Sequence, residues 1–205
     1  MQIVTVDKNN PDKQVLSRAA KIIKDGGLVI YPTDTAYAVG ADLTNIDALH
    51  KLNSAKMRPD EKNYTAIVAD IDMAERFCHL NQSETKLVNK FMPGPLTLAT
   101  LKKDNVPDKI HKTYFTFRIP DCVIAKEIAQ LSDTAITATS ANISGERTAY
   151  SIDEISPALK GKVDLILDAG TLEKKKVSTI CKVENNKVIM LREGAVPEKE
   201  INAIL

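Results

Sequence analysis

The sequence predicts an α/β fold, a mixed β-sheet covered by helices. Short runs rich in Val, Ile, Leu and Thr alternate with stretches whose apolar residues recur at helical spacing. Near the C-terminus two strand-like runs flank Asn185-Asn186, a pair that tolerates positive φ and so forms a hairpin. No linker, low-complexity run or repeat divides the 205 residues, which read as one domain over 1–205.

The elements follow in order. Gln2 to Val6 reads as a strand. Val15, Leu16, Ala19, Ala20, Ile22 and Ile23 then mark one helical face, stopped by Gly26-Gly27. Leu28 to Tyr31 is a second strand, apolar throughout as a buried strand is. Leu49 and Leu52 mark a short helix after Asn45 that ends near Pro59, because the residue before a proline is disfavoured in helical geometry. Tyr64 to Ala69 alternates as a strand; Met73 to Leu80 and Glu84 to Phe91 read as helices, the second with Ser83 as N-cap. After "PGP" at Pro93 to Pro95, strands at Leu96 to Leu101 and Phe115 to Ile119 precede a helix at Asp121 to Leu131 and a strand at Ala135 to Thr139. A helix around Ile152 to Leu159, a strand at Val163 to Leu167, hairpin strands Thr179 to Glu184 and Lys187 to Leu191, and a helical piece from Pro197 complete the chain.

Composition narrows the function classes. Lys and Arg number 28 against 27 Asp and Glu, so any affinity for polyanions has to be local. The N-terminal "MQIVTVDKNNPDKQ" lacks the basic and apolar regions of a leader, and no segment has the length of a membrane span, so the expectation is a cytoplasmic protein with no membrane partner. Cys78, Cys122 and Cys181 lie far apart without C-x-x-C and read as reduced packing residues. His50, His79 and His111 are equally scattered, and no protein-held metal is expected. Walker, G-x-G-x-x-G and G-x-S-x-G sequences are missing, which argues against nucleotide binding by those glycine-rich loops and against a serine triad.

What stands out is a set of small polar clusters after strands: Thr33 to Thr35, Thr139 to Asn142, and Ser178-Thr179 with Arg192 closing the hairpin. Ligands of open α/β sheets gather where strands end, and hydroxyls, amides and N–H groups suit anionic oxygens. Ser83 and Ser151 read as caps or turn residues, whereas Thr33 and Ser140 are open to either role. In "KMRPDEKN", Lys56, Arg58 and Lys62 present three cations in a short loop, exposed and stiffened by Pro59, a chemistry suited to phosphates; Asp60 and Glu61 would equally balance a solvated surface loop.

Seven stretches, "YPTDTAYAVGAD", "KMRPDEKN", "MPGPLTL", "FRIPD", "TSANISGE", "STI" and "LREGA", occur in the order found in YrdC-like threonylcarbamoyl-AMP synthases. The chain resembles that family over nearly its whole length, in what looks like its short, single-domain form. The resemblance implies a twisted mixed sheet with flanking helices and a concave binding face. It also implies a reaction in which L-threonine, bicarbonate and ATP give L-threonylcarbamoyladenylate and pyrophosphate, Mg²⁺ riding on the ATP phosphates. Other proteins then transfer the threonylcarbamoyl group to tRNA. By motif, Thr33, Thr35, Arg118 and Ser178 would bind threonine; Lys56 and Arg58 would be catalytic and, with Lys62, hold the triphosphate; Ser140, Asn142 and Arg192 would line the nucleotide site.

The same motifs also show departures. Members often have Glu where Asp34 stands, Gly where Ala38 stands and Glu where Val177 precedes the S-T pair. A YciO-like branch shares the Asp and the N-aromatic-T of Asn63-Tyr64-Thr65, which implies the alternative of a double-stranded RNA or tRNA-binding protein without the synthase activity.

Overall fold

Strand β1 (Gln2–Thr5) leads into helix α1 (Lys13–Lys24) of the computed structural model, which describes residues 1–59 and 63–205. Asp12 caps α1 by accepting from Gln14 N at 2.7 Å, and Leu16, Ala19, Ala20 and Ile23 form its buried face. Gly26, at φ 81°, turns the chain into β2 (Val29–Pro32), every residue of which is buried.

A helix does not follow β2. The polar stretch Thr33–Ala36 is the tip of a hairpin, and the chain returns as β3 (Tyr37–Gly40), also wholly buried and paired antiparallel with β2. The sequence carries no separate signal for β3, because it is short and its "YAVG" has no polar alternation. Gly40 is needed there, since a Cβ would sit 2.7 Å from the Tyr31 ring. Next come α2 (Ile46–Lys56), β4 (Ala66–Ile67) and α3 (Ile71–Glu75).

The expected helix from Met73 to Leu80 is cut short. Cys78–His79 forms β5, which pairs with the far end of β6 (Leu96–Lys102). Helix α4 (Gln82–Phe91) is capped by Asn81 rather than Ser83: Asn81 Oδ1 accepts from Glu84 N and Glu84 Oε2 accepts from Asn81 N, both at 2.9 Å. Ser83 lies one position inside the first turn, and its hydroxyl meets Asn186 Oδ1 at 3.2 Å.

Strand β7 (Tyr114–Arg118) and helix α5 (Val123–Ser132), which packs on α1, come next. The single strand expected at Ala135–Thr139 is two, β8 (Ile136–Thr137) and β9 (Thr139–Ser140), interrupted at Ala138. The expected helix at Ile152–Leu159 is a 3₁₀ turn (Ile152–Glu154) and a one-turn α6 (Pro157–Lys160), because Pro157 takes the first helical position and forces a fresh start. The chain closes with β10 (Leu165–Asp168), β11 (Thr179–Glu184), β12 (Lys187–Arg192) and α7 (Glu198–Asn202); Asn185 and Asn186 take φ 51° and 58° in the hairpin, as expected.

Two mixed sheets result among the described residues, one of order β1-β10-β2-β3-β9 and one of order β12-β11-β6-β7-β4-β8 with β5 beside β6. The break at Ala138 is what joins them: β8 pairs with β4 in the second sheet and β9 with β3 in the first. Tyr31, fully buried, ties the same junction by donating to Thr137 O at 2.8 Å. One continuous apolar cluster runs beneath both sheets. No helix among the described residues is long and apolar enough to cross a membrane.

Candidate active site

The hairpin tip between β2 and β3 is a rigid turn. Thr33 Oγ1 donates to Ala36 O at 2.7 Å and accepts from the N–H groups of Thr35 and Ala36, while Thr33 N bonds Ala36 O at 3.0 Å. Thr33 therefore builds the turn with its hydroxyl, and the Thr35 hydroxyl lies 3.1 Å from it. Both threonines face a cavity of about 190 Å³ that Arg118 at the end of β7, Ser140 at the end of β9, Ser178 before β11 and Arg192 at the end of β12 also line. Six residues singled out from sequence thus come from five strand ends to one place. That volume lies below the roughly 300–1,000 Å³ typical of drug-sized ligand pockets and suits a ligand of amino-acid size.

The two guanidinium groups are held differently. Arg118, with its side chain 5% exposed, pairs with Asp34 through Nη2–Oδ1 at 3.0 Å and Nη1–Oδ2 at 3.3 Å. Arg192 instead donates from Nε and Nη2 to Ser178 O, at 3.1 and 2.7 Å, and from Nη2 to Ser178 Oγ at 2.9 Å. Burial and then the positive charge of Arg118 lower the pKa of Arg192, so the two cations sense each other across the cavity. Ser178 Oγ in turn meets Thr97 Oγ1 at 2.9 Å. Gly194 makes this corner possible: a Cβ there would lie 2.4 Å from both Thr179 N and Val177 O.

The cationic loop differs from expectation. Lys56 is the last residue of α2 rather than a loop residue, and it is only 2% exposed. Its ammonium donates to Ser140 O and, at 2.6 Å, to Asn142 O, while Lys56 O accepts from Ser144 N at 2.8 Å. Helix α2 ends at Met57, which takes the left-handed region and is exposed, so Lys56 reaches these carbonyls from the last turn of the helix itself. Arg58 is half-buried, with its guanidinium 5.1 Å from the Tyr64 ring centroid and Nη2 donating to Asn63 O at 2.7 Å; burial lowers its pKa. Lys62, with Asp60 and Glu61, lies outside the described residues. Asn142 stands behind Ser140: its Oδ1 meets the Ser140 hydroxyl, and its amide donates to Ile143 O and Glu146 O, each at 2.9 Å.

Residues to which sequence reasoning gave no role complete the walls, among them Thr65, Thr97, Thr148, Tyr150 and Lys175. Thr97 lies inside the quoted "MPGPLTL", where a hydroxyl between two leucines of an apolar strand is the signal that could have found it. Lys175 belongs to the run Lys174–Lys176 and pairs with Glu173 at 3.4 Å. Beyond the hairpin tip lies a second cavity of about 640 Å³, which shares Thr33, Thr35 and Lys175 with the first and is also lined by Lys8, Asp34, Pro95 and Cys122.

Comparison with known proteins bears on this arrangement. The family model Sua5_yciO_yrdC, described as Telomere recombination, matches residues 21–194. A protein of Methanocaldococcus jannaschii named putative threonylcarbamoyl-AMP synthase is 39% identical over 92% of this chain and 90% of its own length. The crystal structure of Pyrococcus abyssi Sua5 complexed with L-threonine superimposes with TM-score 0.92 at 30% identity, covering 100% of this chain but only 61% of that longer one. Escherichia coli YciO is 25% identical over 94% of this chain and 95% of its own length, and its crystal structure gives TM-score 0.86.

Proposed function

From the premise that the chain belongs to the Sua5/YciO/YrdC family, we propose that it is an L-threonylcarbamoyladenylate synthase. It would be an ATP-dependent nucleotidyltransferase that converts L-threonine, bicarbonate and ATP to threonylcarbamoyl-AMP and pyrophosphate. The observation that carries this reading is the small cavity in which two guanidinium groups and the hydroxyls of Thr33, Thr35, Ser140 and Ser178 converge. Such a site suits a small carboxylate carrying its own hydroxyl. The relatives support the assignment through their names, and the Sua5 complex through its bound L-threonine.

In this reading the threonine ammonium first releases one proton to solvent; the free amine nitrogen then bonds to the bicarbonate carbon, and a second of its protons leaves with the displaced hydroxide as water. A carbamate oxygen then bonds to the α-phosphorus of ATP as the bond to pyrophosphate breaks. Both reactants are anions, so the work of the protein is positioning and the neutralisation of developing charge. Arg118 orients the carboxylate end, while Arg192 faces the nucleotide from the same cavity, with the Ser178 hydroxyl between Arg192 and Thr97. Arg58 and Lys62 serve the triphosphate. Lys56 fastens the Ser140–Asn142 backbone against which the nucleotide lies and adds its charge from behind. Mg²⁺ comes with the ATP phosphates; among the described residues no three His, Cys, Asp or Glu side chains converge to cage it.

The proposed setting is cytoplasmic tRNA modification, with downstream transfer proteins as partners. The test is pyrophosphate release: it is expected only with threonine and bicarbonate together, and release indifferent to threonine would refute the assignment. Asp34 and Asn63-Tyr64-Thr65 favour a second reading, the YciO-like one, as a protein that binds double-stranded RNA or tRNA without this chemistry. Steeply salt-dependent RNA affinity with no pyrophosphate release would select it.

A further inference from the structure

Arg118 is the residue expected to grip a substrate carboxylate, yet its guanidinium already has a carboxylate partner. Asp34, 11% exposed, occupies it from the hairpin tip. The pair stands in the wall between the two cavities, since Arg118 lines the smaller one, Asp34 the larger, and Thr33 and Thr35 on either side of Asp34 line both. A pair of opposite charges enclosed in this way is neutral overall. It therefore does not favour simple anions; it is complementary to a ligand that carries both charges.

The geometry of the pair is also incomplete. Oδ2 accepts a hydrogen bond from Nη1, but the 3.0 Å approach of Nη2 to Oδ1 lacks hydrogen-bond alignment, and Oδ1 is buried without a hydrogen-bond partner among the described residues. Buried carboxylate oxygens are rarely left in that state, because each forfeits its bonds to water. The neighbouring Thr33 hydroxyl does not fill the gap, as it is engaged with Ala36 and Thr35 within the turn. What Oδ1 lacks is an N–H donor, and a positively charged one is the best match.

We infer that Asp34 is a substrate-binding and specificity-determining residue whose carboxylate receives the α-ammonium of the amino-acid substrate, while Arg118 takes its carboxylate. This deepens the proposed function and rests on it. The Asp34–Arg118 pair is then the empty-site form of a clip for a zwitterion, and each partner's charge is shared with the opposite end of the ligand on binding. The clip selects an α-amino acid over a hydroxy acid of the same shape, which has the carboxylate and hydroxyl but no ammonium.

Calorimetry on the full chain with L-threonine and with 3-hydroxybutanoate, its des-amino counterpart, tests this. The wild type is expected to bind threonine at least about thirtyfold more tightly, the scale on which losing one partner of a buried charged contact is felt. In Asp34→Asn the ratio should collapse to within about threefold, with 3-hydroxybutanoate bound as well as or better than before because Arg118 no longer shares its charge. A residue serving only as a structural counter-ion would change stability and leave that ratio alone. If the Asn variant does not fold, Asp34→Ser serves as the uncharged variant with the same expected collapse, whereas Asp34→Glu, the residue family members often carry there, keeps the carboxylate and should keep the preference for threonine. A wild-type ratio near one, or a ratio unchanged in the uncharged variants, overturns the inference while the synthase reading stands. Failure of the wild type to bind threonine or to release pyrophosphate overturns both.

Discussion

Replacing Lys56 by Met keeps an unbranched apolar stem of similar length and removes the ammonium. In the folded chain that ammonium is buried and donates to two backbone carbonyls, those of Ser140 and Asn142. Hydrogen bonds to charged groups contribute roughly 1.5–3 kcal/mol each. Part of this is offset because the variant no longer has to bury a charge, which for a lone ion costs several kcal/mol. The net expectation is a loss of about 2–4 kcal/mol, since the Asn142 carbonyl loses this donor inside the fold while the Ser140 carbonyl keeps its bond from Asn142 N. With a urea m-value near the upper end of the roughly 1–3 kcal/mol/M range, the midpoint should fall by about 0.7–1.3 M. Far-UV circular dichroism during urea unfolding measures it. Below the transition the variant should still lose most pyrophosphate release, because Ser140 and Asn142 are positioned through that ammonium. An unchanged midpoint would refute the reasoning, and so would full activity in a destabilised variant, which would detach Lys56 from the site.

Two further outcomes follow from other parts of the fold. Gly194→Ala places a Cβ 2.4 Å from the backbone at Thr179 and Val177, so it should cost about 1–3 kcal/mol in thermal unfolding and, by shifting Ser178 away from Arg192, raise the KM for threonine. Glu84 has its pKa raised by burial against the opposing hydrogen bond from Asn81 N–H. A raised carboxylate pKa means that the folded state binds its proton more tightly than the unfolded one, so this contribution is complete below about pH 4.5 and is lost as pH rises through the folded-state value. Glu84→Gln, which can still accept the Asn81 N–H, should therefore remove that part of the pH dependence and be relatively more stable at neutral pH. Urea midpoints across pH 4 to 8 compare the two chains, and a parallel pair of curves would contradict the sign.

Local patterns were legible in the sequence where chemistry and period coincide. The face of α1, the Asn185-Asn186 hairpin and the strands β6 and β11 carry their own signals within a few residues. Asn81 was missed as a cap because Ser83 is an equally good one by type, and only the reciprocal bond with Glu84 distinguishes them. Strand β3 and the division between β8 and β9 were missed because two- to four-residue strands have no period of their own and exist only where a partner strand offers hydrogen bonds.

The candidate site divides in the same way. Its residue types, the hydroxyls after strands and the two arginines, stand in the chain as written, because small polar residues following apolar runs are a local pattern. Their convergence is a property of strand order: β2 and β3 lie in one sheet, β7, β11 and β12 in the other, and the cavity sits where the two meet. Three placements were decided only there. Lys56 turned inward to the Ser140 and Asn142 carbonyls, Arg192 closed on Ser178, and Asp34 reached Arg118 across 84 positions of sequence. Sequence alone determined that the chain would form apolar strands ending in polar loops. Which charge would meet which depended on long-range pairing, since a charged side chain responds to what surrounds it in space rather than to its neighbours along the chain.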